Sequence, residues 1–126
     1  ELPMPYKLAI IEDDTPIANM YKMKFELHGF VVSVAENGLV GLELVKTMQP
    51  DLVLLDLMMP EMTGDEMLTQ MRKEPWGKNI RVIVLTNLSE NEALPKVRGQ
   101  SIDGLLVKAQ YTPKQVVTIV QKTLKP

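Results

Sequence analysis

The sequence predicts an α/β domain, a doubly wound five-stranded parallel sheet with helices on both faces. Three observations carry this. Residues 52–55 are four consecutive apolar residues, too few for a helix and without polar alternation, as in a strand buried on both faces of a parallel sheet. Similar short runs recur, and a helical pattern follows each, so that strand and helix alternate five times without an internal repeat or low-complexity linker. Crossovers between parallel strands are right-handed, which distributes the helices over the two sheet faces.

The first strand is read over residues 7–11. Thr15 then stands as N-cap and Pro16 as the first helical residue, where its missing N–H costs nothing. Ile17, Met20, Tyr21, Phe25 and Leu27 recur at helical spacing up to Gly29, a C-terminal stop. His28, the one histidine, sits at that helix end and complements the helix dipole there. Residues 30–35 form the second strand, and Asn37-Gly38 turns the chain. A helix over 39–48 is apolar on several sides, which leaves its buried face open.

After the central strand, Pro60 and Gly64 punctuate a loop, and Met67, Leu68 and Met71 mark a short helix that ends before Glu74-Pro75-Trp76-Gly77. Trp76 reads as a loop anchor. Residues 80–85 are the fourth strand. Ser89 and Glu92 have capping-box spacing, yet Pro95 falls beyond the first turn, so the fourth helix is expected to be short, displaced or begun late. Residues 104–107 are the fifth strand. Thr112, Pro113 and Gln115 open a last helix with Val116, Val117, Val120 and Leu124 as its apolar stripe.

The chain of 126 residues is the size of one domain, expected over residues 6–126 behind a proline-containing tail at 1–5. With 45% hydrophobic and 24% charged residues it has an ordinary globular composition. A formal charge of −2 without a basic stripe argues against direct nucleic-acid binding. The absence of cysteine removes disulfides and thiolate metal sites. No apolar run has the length of a membrane span and no signal-peptide pattern precedes the first strand, so a cytoplasmic location is expected.

The chemistry collects at the carboxyl ends of the strands, where open α/β sheets bind ligands. Glu12, Asp13 and Asp14 follow the first strand, Asp56 the third, Thr86-Asn87 the fourth and Lys108 the fifth. Such crowding of carboxylates needs a cation or a proton to offset it. Oxygen donors with no histidine or cysteine favour Mg²⁺. Asp13 and Asp56 are read as direct ligands, and Asp14 as a helix-start residue.

This arrangement resembles the receiver domains of two-component response regulators. The matches run in order through Glu12-Asp13, Asp56 with Met59-Pro60 and Gly64, Thr86 and Lys108, and their intervals fit that family's layout over essentially the whole chain. The resemblance implies a flavodoxin-like sheet of order 2-1-3-4-5. It also implies that Asp56 is the phosphoacceptor for a histidine kinase or histidine phosphotransfer protein. Glu12 would reach Mg²⁺ through water, and the Met58 backbone carbonyl would complete the protein ligands. Lys108 would contact the phosphoryl group as an ammonium. Thr86 would donate a hydrogen bond to it only in the phosphorylated state, which shifts a two-state equilibrium toward an effector-binding form. Homodimerisation on phosphorylation is left open. Such a domain modifies itself and turns over no external substrate.

Departures from the family concern mechanism. Leu105 stands where receivers usually carry an aromatic residue, so no rotating ring reports activation. Ala109 replaces the usual proline after the lysine; a cis bond there would cost about 3 kcal/mol, so a trans peptide and an altered loop are expected. Asn87 takes a commonly small position and narrows access. Met58 and Leu88 offer no general base, which predicts a long-lived acyl phosphate. The competing reading is a pseudo-receiver that binds partners without phosphorylation; the intact Asp13, Asp56, Thr86 and Lys108 set argues against it. A Mg²⁺-dependent phosphatase is disfavoured because Met58 stands where a second aspartate is needed and no cap domain is present.

Overall fold

The computed structural model describes residues 5–125, so the expected tail lies, apart from Pro5, outside the described residues. The chain runs β1 (Lys7–Ile11), α1 (Thr15–Leu27), β2 (Val31–Ala35), α2 (Gly38–Met48), β3 (Leu52–Leu55), α3 (Gly64–Arg72), β4 (Arg81–Thr86), α4 (Glu90–Val97), β5 (Gly104–Val107) and α5 (Pro113–Leu124). All strand pairs are parallel and the order is β2-β1-β3-β4-β5. The strand order reverses beside β1, which opens a crevice at the carboxyl edge between β1 and β3.

Strand alternation divides the core in two. Leu8, Ile10, Leu52, Leu54, Ile83, Leu85 and Leu106 face α1 and α5, where they meet Tyr21, Phe25, Val116, Val117 and Val120. Ala9, Ile11, Val53, Leu55, Val82 and Val84 face the other way, toward Val45, Met67, Leu68, Met71, Ala93 and Val97 of α2, α3 and α4. Phe25 is fully buried, edge-on to Phe30 at 5.1 Å between ring centroids, a geometry worth about 0.5–1.5 kcal/mol beyond the area buried.

Several boundaries differ from expectation. Asp14, not Thr15, is the N-cap of α1; its carboxylate accepts from the Ile17 amide at 3.1 Å, which moves Pro16 to the second helical position. The α1 end is as expected: His28 is the C-cap, its Nδ1 lies 2.9 Å from the Lys24 carbonyl, and Gly29 adopts a positive φ of 86°. The buried face of α2 is made by Gly38, Gly41 and Val45, while Leu39 and Val40 are exposed. Strand β2 starts after Phe30, and β4 is shifted by one residue so that Thr86 is its last member. Helix α4 is short, but it begins directly after Ser89, because the Ser89–Glu92 capping box fixes its start ahead of Pro95. The α5 caps follow expectation, and Trp76 packs partly buried against the core.

Candidate functional site

Strand parity decides which side chains meet. The Glu12 amide bonds to the Ala35 carbonyl at 2.9 Å and the Asp56 amide to the Ile11 carbonyl at 3.0 Å, so both residues prolong their strands' ladders by one step. Glu12 follows Ile10 and Asp56 follows Leu54 at the two-residue repeat, on the α1 and α5 side of the sheet. Lys108 bears the same relation to Leu106 and begins a 3-10 turn, Lys108–Gln110. Three charged side chains from three strands thus converge above one apolar layer.

They converge in contact. Lys108 Nζ lies 2.5 Å from Glu12 Oε1 and 3.5 Å from Asp56 Oδ2. Glu12 and Asp56 are each only 5% exposed. Burial drives the Glu12 carboxyl above its ordinary value and the Asp56 charge adds to this, against the opposing pull of the Lys108 hydrogen bond. For Lys108, burial disfavours the ammonium, but the hydrogen bond to Glu12 and the charges of Asp56 and Glu12 prevail and hold it above the ordinary lysine value. Two buried carboxylates thus share one partly buried cation.

Asp13 is exposed, and one oxygen from each of Glu12, Asp13 and Asp56 falls within a 4.8 Å cluster. A donor set of three carboxylates suits a hard divalent cation, and Mg²⁺ accepts few protein groups because it retains water. The residues therefore fit the ion expected from the sequence. Glu12 Oε2 also accepts from the Asp14 amide at 3.1 Å, which ties the acidic run to the start of α1.

The loop after β3 is built around Asp56. The Met58 amide approaches Asp56 Oδ1 at 3.4 Å, while the Met58 side chain is exposed. Gly64 donates to the Leu57 carbonyl at 3.0 Å, and a Cβ added to Gly64 would stand 2.0 Å from the Asp56 carbonyl oxygen. Only glycine allows α3 to begin so close to the phosphoacceptor candidate's backbone. Glu61 in the same loop adopts φ of 67°, a left-handed conformation rare outside glycine and asparagine.

Thr86 lies apart from this group. It is fully buried and alternates with Leu85, so its side chain faces the α4 side of the sheet, and its Oγ1 accepts from the Leu88 amide at 3.2 Å. Leu105 is partly buried against the core on that side, and Asn87 is exposed. No cis peptide bond occurs among the described residues, so Lys108–Ala109 is trans as expected. Sequence reasoning had no site role for Gly64, whose part depends on a through-space approach, nor for Tyr21, which reads as one more member of an apolar helix stripe.

Taken together, the strand order, the crevice and the buried carboxylates beside a lysine define a flavodoxin-fold domain with an acidic site at its switch point. The family model described as the response regulator receiver domain matches residues 8–121, and the chain belongs to that family. It is similar to the probable transcriptional regulatory protein SilR of Salmonella typhimurium, with 36% identity over 102 residues that are 81% of this chain and 44% of that protein. The fold resembles that of a DNA-binding response regulator of the LuxR family from Staphylococcus aureus (TM-score 0.84, 29% identity, 94% of this chain and 98% of that one). It also resembles a CheY-like receiver domain protein from Methanospirillum hungatei (TM-score 0.87, 23% identity, 97% and 95% covered), where the likeness concerns the fold. The chain spans less than half the length of the first curated relatives it matches. Among the described residues no helix is long and apolar enough to cross a membrane.

Proposed function

We propose that this domain is a phosphoacceptor switch in which Asp56 receives a phosphoryl group from a phosphohistidine on a histidine kinase or phosphotransfer protein. One observation carries the reading: Asp56 is buried at the carboxyl edge of the sheet, within reach of the Lys108 ammonium and clustered with the Glu12 and Asp13 carboxylates. Phosphoryl transfer asks chiefly for positioning and charge stabilisation, and this arrangement offers both.

An Asp56 carboxylate oxygen attacks phosphorus in line. The O–P bond forms as the donor's N–P bond breaks, and the imidazole leaves with the electron pair and takes up a proton. Lys108, already 3.5 Å from Asp56, faces the incoming phosphoryl oxygens as a compact cation and gives up part of its hold on Glu12. Glu12, Asp13, Asp56 and the Met58 carbonyl would hold Mg²⁺. Bound there, the ion supplies neutralisation of the phosphoryl charge. Thr86 exchanges its inward setting for a hydrogen bond to the phosphoryl group and so couples modification to the loop before α4. The partly buried Leu88 and the exposed Met58 provide no base to orient water, so the acyl phosphate is long-lived.

The wider reading is a cytoplasmic domain over residues 6–126 that passes its state to a downstream effector. The test is intact mass after incubation with acetyl phosphate, with and without Mg²⁺. A Mg²⁺-dependent phosphoryl adduct that disappears in Asp56→Asn is the expected result. No adduct from acetyl phosphate or from a cognate kinase would favour the pseudo-receiver.

A further inference from the structure

The sheet face that carries Glu12 and Asp56 holds one more polar group. Tyr21 of α1 belongs to the apolar layer of Ile10, Leu54 and Leu85 and is 5% exposed. Tyr21, Glu12 and Asp56, with Ile10, Ile11, Leu54 and Leu85, line a cavity of about 10 Å³. A space of about that size admits a single water, and a buried water needs two to four polar partners. The walls offer three.

A tyrosine packed into a core usually keeps a hydrogen-bond partner for its hydroxyl. Among the described residues the tyrosine hydroxyl that reaches a protein acceptor is that of Tyr6, which donates to the Leu124 carbonyl at 3.4 Å. Tyr21 is instead buried within the field of the site: burial pushes its phenol up, with the Lys108 and Glu12 charges acting on it in opposite senses. A single water in this space would accept from the Tyr21 hydroxyl and donate one hydrogen to each carboxylate. A phenylalanine or leucine would fill the helix stripe equally well without supplying that donor.

We infer that Tyr21 is a positioning residue whose hydroxyl holds one buried water against the inner side of the Glu12 and Asp56 carboxylates and so sets their orientation toward the cation and the phosphoryl group. The inference rests on the phosphoacceptor reading of the same site. It is tested by high-resolution crystal structures of the protein and of Tyr21→Phe, with Mg²⁺ affinity of both measured by titration calorimetry. Expected are a water within hydrogen-bond reach of Tyr21 Oη and both carboxylates, its loss in the variant with a turned Glu12 or Asp56 carboxylate, and about tenfold weaker Mg²⁺ binding. A wild-type cavity without water, or a variant with unchanged carboxylates and unchanged affinity, overturns the assignment. Failure of the phosphoacceptor reading shows separately, as a wild-type protein that contains the water yet takes no phosphoryl label.

Discussion

Helices α3 and α4 follow the strands that deliver Asp56 and Thr86, and both open with a capping box, yet they are held differently. Helix α3 buries Gly64, Met67, Leu68 and Met71, and its first residue presses on the Asp56 carbonyl. At its far end the Arg72 guanidinium donates to the carbonyls of Gly77, Ile80 and Ser101 at 2.9, 2.8 and 2.7 Å, tying α3 to the start of β4 and to the loop before β5. Helix α4 buries only Ala93 and Val97, exposes Leu94, and contains Pro95, which cannot donate to the Asn91 carbonyl one turn earlier. The Asp56 side of the site therefore rests on the more firmly held helix, and the Thr86 side leads into the less firmly held of the two. A switch needs both: a rigid acceptor to position the chemistry, and a weakly held element whose equilibrium the chemistry can bias.

Substitutions in the two helices separate these roles. The largest effect is expected for Gly64→Ala, whose Cβ must displace the Asp56 backbone; chemical denaturation should show a loss of about 3 kcal/mol. Phosphoryl labelling should fall in proportion to the displacement of Asp56. Arg72→Met comes next. It deprives the carbonyls of Gly77, Lys78, Ile80 and Ser101 of a charged donor, and we expect about 2–3 kcal/mol of destabilisation by urea titration, with faster hydrogen exchange at both the α3 end and the loop before β5. Pro95→Ala acts in the opposite direction. It restores a helical hydrogen bond and should stabilise α4 by about 1 kcal/mol after the greater freedom of the unfolded chain is counted. Exchange of the α4 amides should slow severalfold while α3 is unchanged.

The smallest effect is a pH dependence common to both helices. Backbone and side-chain hydrogen bonds at Thr63 and Ser89 hold the exposed Glu66 and Glu92 carboxyls below their ordinary value of 4.5. The folded state thus binds fewer protons than the unfolded one. Each carboxylate contributes stability that is present above pH 4.5 and is lost as pH falls through the lowered folded value. Glu92→Gln should flatten the acid side of the stability profile by one carboxylate's share, and Glu66→Gln by a similar amount; equal slopes in wild type and variants would contradict the capping assignment.

The same contrast explains what could be read from the chain. Glu12, Asp56 and Lys108 were legible because each follows an unambiguous apolar run, and the two-residue repeat of a strand fixes the face each side chain takes. Thr86 was legible as a residue, but it alternates with Leu85 and so takes the opposite face, where its hydroxyl oxygen accepts from the Leu88 amide. The α2 face was not legible because its close contacts are glycines. A Cβ on Gly41 would meet Ile11 at 2.9 Å, so proximity to the sheet, rather than hydrophobicity, selects that side and leaves Leu39 outside at 52% exposure. Asp14 and Thr15 are adjacent cap-forming residues, and local propensity does not choose between them; the carboxylate's reach to the Ile17 amide does. Gly64 looked like punctuation because the group it must clear, the Asp56 carbonyl, meets it only through the folding of the intervening loop.

The most direct test is hydrogen exchange resolved along the chain, measured with Mg²⁺ before and after addition of a phosphodonor, in the wild type and in Asp56→Asn. The account predicts changed exchange in residues 87–97 of the phosphorylated protein, unchanged exchange in α3, and no response in the variant. Equal changes in α3 and α4, or a response that persists in Asp56→Asn, would contradict it.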